Sequence, residues 1–288
     1  MQLNYRQYSD QGKPLIILHG LFGSLANWGW HCKQLAGSYA VVGVDLRNHG
    51  DSPHTNEMSY SLMAEDVKQL MGLLQLDDCL LIGHSMGGKV AMQLALSHPQ
   101  LVSKLIVVDI APVTYPDSAD GHLSVLAGMQ SLDISNLDSR KDAEQQMAKF
   151  IEDEATRKFV MMNLVRNSEG QYGWRLNLAA IMQHYGSLRE KPLADRPFTK
   201  PVLFVKGAES NYIQQRNRAE IMQMFPAATV KIIMHAGHWL HAEKPQAFQT
   251  VALGFLQDDD SKDPFLANQA IANQTITNQA LEDKGSEG

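Results

Sequence analysis

The stretch Cys79-Leu80-Leu81-Ile82-Gly83-His84-Ser85-Met86-Gly87-Gly88-Lys89 decides how the chain is read. Four apolar residues with the character of a buried strand run into Gly83-x-Ser85-x-Gly87, and a helical pattern continues over residues 87–97 until His98-Pro99 stops it. A serine flanked by glycines at a strand-to-helix turn is a nucleophile elbow. The turn is so tight that a Cβ at either glycine would clash. It lifts the Ser85 hydroxyl above the sheet edge and aims the Met86 N–H and the helix N-terminus at the place where an oxyanion would develop. The same residues begin a phosphate-binding loop, Gly83-x-x-x-x-Gly88-Lys89, but Val90 stands where that loop needs Ser or Thr to hold magnesium. Lys89 is therefore read as a solvated helix residue.

Outward from the elbow, short apolar runs at 15–18, 40–44, 79–82, 105–108, 202–205 and 229–233 read as strands buried on both faces. Helical patterns at 61–74, 87–97 and 212–224 lie between them. On the first of these, Leu62, Val67, Leu70, Met71 and Leu74 share one stripe. Strand–helix–strand alternation implies an open, mostly parallel α/β sheet. Residues 112–196 break the rhythm with helical patterns at 123–129, 141–151, 154–165 and 177–185 and no convincing strand. They are expected to form a helical cap on a core made of 1–111 and 197–256. Met161, Met162 and Met182 either line a plastic pocket or fill the cap's own core. The Asn/Gln-rich remainder, 257–288, reads as an acidic disordered tail without a catalytic role.

The composition excludes other classes. The 288 residues carry a net charge of −6 with 44 % hydrophobic residues. The tail accounts for −5 of that charge, which leaves a near-neutral body unsuited to nucleic acid. Two cysteines, Cys32 and Cys79, make no disulfide framework and suit a reducing, cytoplasmic setting. The N-terminal residues contain no secretory signal, and no apolar run is long enough to span a membrane.

A serine nucleophile needs a base, and His238 follows Gly237 on the loop after the last strand candidate. His241 is the fallback, while His49 and His84 read as structural. The third group is Asp109, at the end of the 105–108 strand, with Glu209 as the alternative after 202–205. Ser210 stands beside Glu209 as an auxiliary partner near the pair. His19-Gly20-Leu21-Phe22-Gly23 ends the first strand and offers a second oxyanion donor, the Leu21 N–H, with Phe22 as the alternative. Asp45 and Arg47 read as ties between loops. Candidate pocket residues are Phe22, Met161, Met162, Trp174, Met182, Tyr212 and Trp239. No metal site is expected.

With these residues in view, the chain resembles the α/β-hydrolase superfamily over residues 1 to about 256, and more narrowly the YbfF-like bacterial esterases and their mitochondrial abhydrolase relatives. The matching segments are those around His19, Asp45-Leu46-Arg47-Asn48-His49-Gly50, Ser85, Val108-Asp109-Ile110-Ala111-Pro112-Val113, Trp174-Arg175-Leu176-Asn177 and Gly237-His238-Trp239. The resemblance implies an α/β-hydrolase fold with the helical cap inserted after the sixth strand. It also implies a catalytic acid on the earlier strand, hydrolysis of acyl esters or acyl-CoA thioesters, and no cofactor. The expected protein is a monomer or homodimer acting on a small-molecule acyl ester or thioester. A Ser-dependent C–C hydrolase, a perhydrolase and a non-catalytic small-ligand receptor are the rival readings.

Overall fold

The structure is a computed structural model that describes residues 1–116 and 121–257. The chain divides into two compact units, Met1–Gln249 and Thr250–Gly288, and everything below concerns the first. The tail expected over 257–288 lies, apart from Gln257, outside the described residues.

Runs rich in Val, Ile and Leu form the centre of a seven-stranded sheet. Its strands are β1 (Tyr5–Gln7), β2 (Lys13–Leu18), β3 (Tyr39–Val44), β4 (Cys79–His84), β5 (Val102–Val108), β8 (Val202–Gly207) and β9 (Ala228–Ile233). They lie in the order β1-β3-β2-β4-β5-β8-β9, all parallel except β1, which pairs antiparallel with β3. β3 and β4 are buried along their whole length, as two-sided strands should be. β9 differs from the expectation. It lies at the sheet edge with Val230 and Ile232 about half exposed. β1 was not foreseen, because Tyr5-Arg6-Gln7 is a short polar edge segment without an apolar run.

Helix α1 (Gly29–Leu35) joins β2 to β3, and α2 (Tyr60–Leu73) and α3 (Met86–Ser97) flank β4. Ser59 caps α2 by accepting the Leu62 N–H. α2 buries Met63, Val67, Leu70 and Met71, whereas Leu62 and Leu74 stay at the margin. α3 is buried on every face. That corrects the reading of Lys89. Its side chain is 1 % exposed, and its ammonium donates to the carbonyls of Val113, Arg189 and Glu190 at 2.9, 2.8 and 2.6 Å. The Tyr60 and Tyr115 rings lie within 5.4 and 4.9 Å of the same nitrogen. A helix with no solvent face has nowhere to solvate a lysine, so the charge is met by three carbonyl dipoles instead.

The insertion lies between β5 and β8, so it follows the fifth strand in chain order, not the sixth. The N-terminal edge contributes only β1 before β2. The insertion holds α4 (His122–Ser131), α5 (Arg140–Met147), α6 (Glu154–Met161) and α7 (Leu178–Arg189). It is not all helical. The pattern expected to run to 165 stops at Met161, and β6 (Leu164–Arg166) pairs with β7 (Tyr172–Trp174) in a hairpin. Arg175, just past the hairpin, makes a two-pronged contact with Asp51 at 2.9 and 2.5 Å. Asn177 donates to Asn48 Oδ1 at 3.2 Å. These contacts tie the hairpin to the loop after β3. Short helices α8 (Arg218–Met224) and α9 (Leu240–Glu243) and helix α10 (Pro245–Gln257) complete the described elements. α8 starts later than the 212–224 pattern suggested, because Gln214 and Asn217 cap a separate 3-10 turn ahead of it.

Candidate active site

The elbow joins β4 to α3 through Ser85, whose backbone is left-handed at φ 52°, ψ −118°. Such a conformation costs about 1–3 kcal/mol in a non-glycine residue and persists only where the surroundings enforce it. They do so by close approach. A Cβ on Gly83 would lie 2.3 Å from the Gly87 carbonyl oxygen, and one on Gly87 would lie 2.4 Å from that of His19. The Ser85 N–H is held by the Val108 carbonyl at 3.0 Å, which links the elbow to the end of β5.

Three side chains from three strand ends meet here. Ser85 Oγ lies 3.0 Å from His238 Nε2, and His238 Nδ1 lies 2.8 Å from Asp109 Oδ2. Asp109 is fully buried, also at positive φ (51°). Its Oδ1 accepts the Gly207 N–H at 3.1 Å, and its Oδ2 accepts the Ser210 hydroxyl. An anion buried this way is stable only with such donors around it. Glu209 is exposed, its backbone N–H bound to the Ala236 carbonyl, and it does not reach His238. His241, the fallback base, has other partners. It stacks on Trp28 at 4.3 Å, away from Ser85, and the His31 ring bonds its carbonyl.

The loop after β2 faces the elbow. Among the described residues the Leu21 and Met86 N–H groups meet no protein acceptor, whereas the Phe22 N–H donates to His49 Nε2 at 3.3 Å. Phe22 is thus already engaged, at a left-handed φ of 62°. His19 and His49 hold this loop as neutral acceptors. His19 donates from Nδ1 to the Gly20 carbonyl and accepts the Leu46 N–H at Nε2; His49 donates to the Arg47 carbonyl while accepting from Phe22. Burial pushes both down, His49 to about 3 with His19 adding to the effect, while Asp45 partly opposes it at His19. Asp45 and Arg47 are loop ties as read. Asp45 accepts the Leu25 and Asp51 N–H groups, and Arg47 pairs with buried Asp66 at 2.6 Å.

A stability prediction follows from these histidines. Burial also holds His31, His84 and His241 below the ordinary value. Below about pH 6.5 the unfolded chain takes up protons that the folded chain refuses, so stability falls as pH falls. The loss approaches about 1.4 kcal/mol per pH unit for each such histidine, until its own folded pKa is reached. Urea midpoints measured from pH 7 to pH 4 should decline steadily; a flat profile over that range contradicts the assignment.

A cavity of about 350 Å³ opens onto Ser85 and His238. Phe22, Tyr212 and Trp239 line it as expected, and the Tyr212 ring stacks on His238 at 4.0 Å. Met161, Met162, Trp174 and Met182 do not line it. Met161 is buried in the insertion's packing, Met162 is 51 % exposed, and Met182 is partly buried against the core. Trp174 follows its hairpin to the loop after β3. Phe150, Ile151, Phe159 and Val160 occupy the wall instead. The elbow's own His84 has the structural role read for it. It bonds the His238 carbonyl at 2.9 Å and so pins the loop that carries His238.

Comparisons with known proteins agree with the fold. A family model described as alpha/beta hydrolase fold matches residues 13–245. The chain belongs to the alpha/beta hydrolase family. Within it, the chain is 39 % identical over 264 residues to the sn-1-specific diacylglycerol lipase ABHD11 of Danio rerio, covering 89 % of this chain and 83 % of that one. It is 33 % identical to esterase YbfF of Escherichia coli, covering 90 % of this chain and all of that one. A solved structure described as a marine microorganism esterase superposes with a TM-score of 0.87 at 39 % identity, covering 88 % of this chain and 99 % of that one. The family scaffold, with a mostly parallel sheet flanked by helices, is the one described above. Esterase YbfF and the marine esterase, both matched along nearly their full length, are esterases by name.

Proposed function

We propose that this alpha/beta hydrolase cleaves carboxylic esters through an acyl-enzyme on Ser85. The observation that carries the reading is the continuous hydrogen-bond line from Asp109 through His238 to Ser85. Neutral His238 donates from Nδ1 to Asp109 and accepts the Ser85 proton at Nε2 as Oγ bonds the carbonyl carbon. The carbonyl π electrons move onto oxygen, where the Leu21 and Met86 N–H groups stabilise the charge. The carbon–alkoxide bond then breaks, and the His238 proton goes to the leaving oxygen. Water enters, loses a proton to His238 and bonds the acyl carbon. Collapse breaks the Oγ–carbon bond, returns the proton to Ser85 and releases the acid.

Oxygen esters and small thioesters suit the site better than acyl-CoA. Glu152 and Asp153 line the cavity from exposed positions, and no Lys or Arg is among its described lining residues. Coenzyme A brings several phosphate charges to that rim. Two like charges 4 Å apart repel by about 1 kcal/mol in water and about 4 kcal/mol at a protein surface. Acetyl-N-acetylcysteamine and acetyl-CoA share one acyl group and one scissile bond. The first should be hydrolysed at least about tenfold faster in kcat/KM, with the gap narrowing in Glu152→Lys. Equal rates, or a preference for acetyl-CoA, count against the discrimination by charge; the absence of turnover on any p-nitrophenyl ester counts against the ester reading. The cytoplasmic setting belongs to the same reading, supported by Cys32 and Cys79, two buried free thiols that burial pushes up to about 12. Among the described residues no helix is long and apolar enough to cross a membrane.

A further inference from the structure

Two cavities meet at Ser85, and they differ about tenfold in size. The larger, about 350 Å³, contains His238. The smaller, about 30 Å³, contains Met86 and Ile110 but not His238. We infer that the smaller cavity receives the acyl group and the larger one the leaving alcohol, so that the preferred substrates are short-acyl esters of bulky apolar alcohols. The inference rests on the serine-hydrolase reading of the site.

The chemistry assigns the sides. In the tetrahedral intermediate the carbon carries Oγ, the oxyanion, the acyl chain and the leaving oxygen. The leaving oxygen takes its proton from His238, so the alcohol lies in the compartment that His238 lines. The acyl chain points the other way, past the Met86 N–H. A water needs roughly 10–15 Å³ of such space, so the smaller compartment has room for the stub of an acetyl or propionyl chain and little more.

Most polar groups of its walls already have protein partners. The Tyr60 hydroxyl donates to the Leu188 carbonyl, and the Tyr115 hydroxyl to that of Tyr212 at 2.6 Å. The three Lys89 N–H donors point to the carbonyls of Val113, Arg189 and Glu190. Arg189 lies over the Tyr185 ring at 5.6 Å and His122 pairs with the Tyr185 hydroxyl, so ring faces, Ile110 and Leu188 make up most of the surface offered to a ligand, and the compartment suits a short hydrocarbon. It is also stiff. Lys89 holds the segments on both sides of it, and Tyr115 links one of them to Tyr212, which lines both cavities. The wall of the larger compartment, by contrast, includes Phe150 and Phe159, both partly open to solvent.

The test uses two ester series on the full chain. In the first the leaving group is constant: p-nitrophenyl acetate, butyrate and octanoate. In the second the acyl group is constant: methyl, butyl and octyl acetate. The expected kcat/KM falls at least about tenfold from acetate to octanoate and rises at least about tenfold from methyl to octyl acetate. Leu188→Ala, which opens only the smaller compartment, should raise the octanoate-to-acetate ratio about tenfold. Phe159→Ala, which touches only the larger, should change the octyl-to-methyl ratio and leave the acyl ratio within about twofold. Wild-type preference for octanoate, or a Phe159→Ala effect on the acyl series alone, overturns the assignment while leaving the serine hydrolase intact. Loss of all Ser85-dependent turnover on both series overturns the parent reading and this one together. Because the wild-type series decide the matter, a variant that fails to fold does not shield it.

Discussion

Ser85→Ala is expected to lower kcat on p-nitrophenyl acetate by about 10⁵–10⁶, because removing a nucleophile costs nearly as much as removing the whole catalytic set. What remains is the pair of N–H groups at Leu21 and Met86, which can still polarise a bound carbonyl but cannot form a covalent intermediate. The fold should survive. Alanine keeps the Cβ and the left-handed φ of 52°, and Ser85 is buried with its hydroxyl bonded, among the described residues, to His238. The melting temperature should therefore stay within a few degrees of wild type. A variant that retains more than about a tenth of the activity would remove Ser85 from the mechanism.

Asp109→Asn carries the second large effect, a loss of about 10³–10⁴ in kcat/KM. The reason lies in the three donors that surround the carboxylate: Gly207 N–H on Oδ1, and Ser210 hydroxyl and His238 Nδ1–H on Oδ2. An amide has one acceptor oxygen to offer. If that oxygen faces Gly207, the amide NH₂ faces His238 and forces its proton onto Nε2, where it can no longer take one from Ser85. If the oxygen faces His238, the NH₂ meets the Gly207 N–H head on at a fully buried position. The first orientation removes the base, and the second keeps it only at the cost of two opposed donors. Glu209→Gln, at an exposed position that touches neither histidine nor serine, should stay within about twofold of wild type. The reverse pattern, with activity kept in Asp109→Asn and lost in Glu209→Gln, would move the acid to β8.

How much of this could be read beforehand depended on whether local chain or distant packing decides a feature. The elbow was legible because its glycines, its serine and its flanking apolar runs are adjacent in sequence and impose the turn by themselves. Asp109 was legible as the first residue past an apolar run, and the structure brings it to His238. Ser210 was legible only as an auxiliary partner beside Glu209; its hydroxyl meets Asp109 across the sheet. The insertion resisted. Its helices show periodicity, but which face meets Ser85 is set by contacts such as Arg175 with Asp51, and periodicity does not encode those. Four pocket candidates chosen for their methionine or tryptophan character therefore fell outside the cavity. The hairpin of β6 and β7 was missed because three-residue strands carry too little alternation to register. Lys89 had a signal that went unused: a lone charge in a helix with apolar residues on every side has to be buried.

That lysine has a consequence for how such proteins diversify. Its ammonium gathers the outgoing end of the insertion at Val113 and the returning end at Arg189 and Glu190 to a single point on the elbow helix. To the sheet, the long detour between those residues presents the same boundary as a short turn, and lengthening a loop whose ends are already joined costs little more. The detour is in effect a replaceable cassette. Its sequence is free to be rewritten for another alcohol, while the residues that break the bond keep their places beneath it.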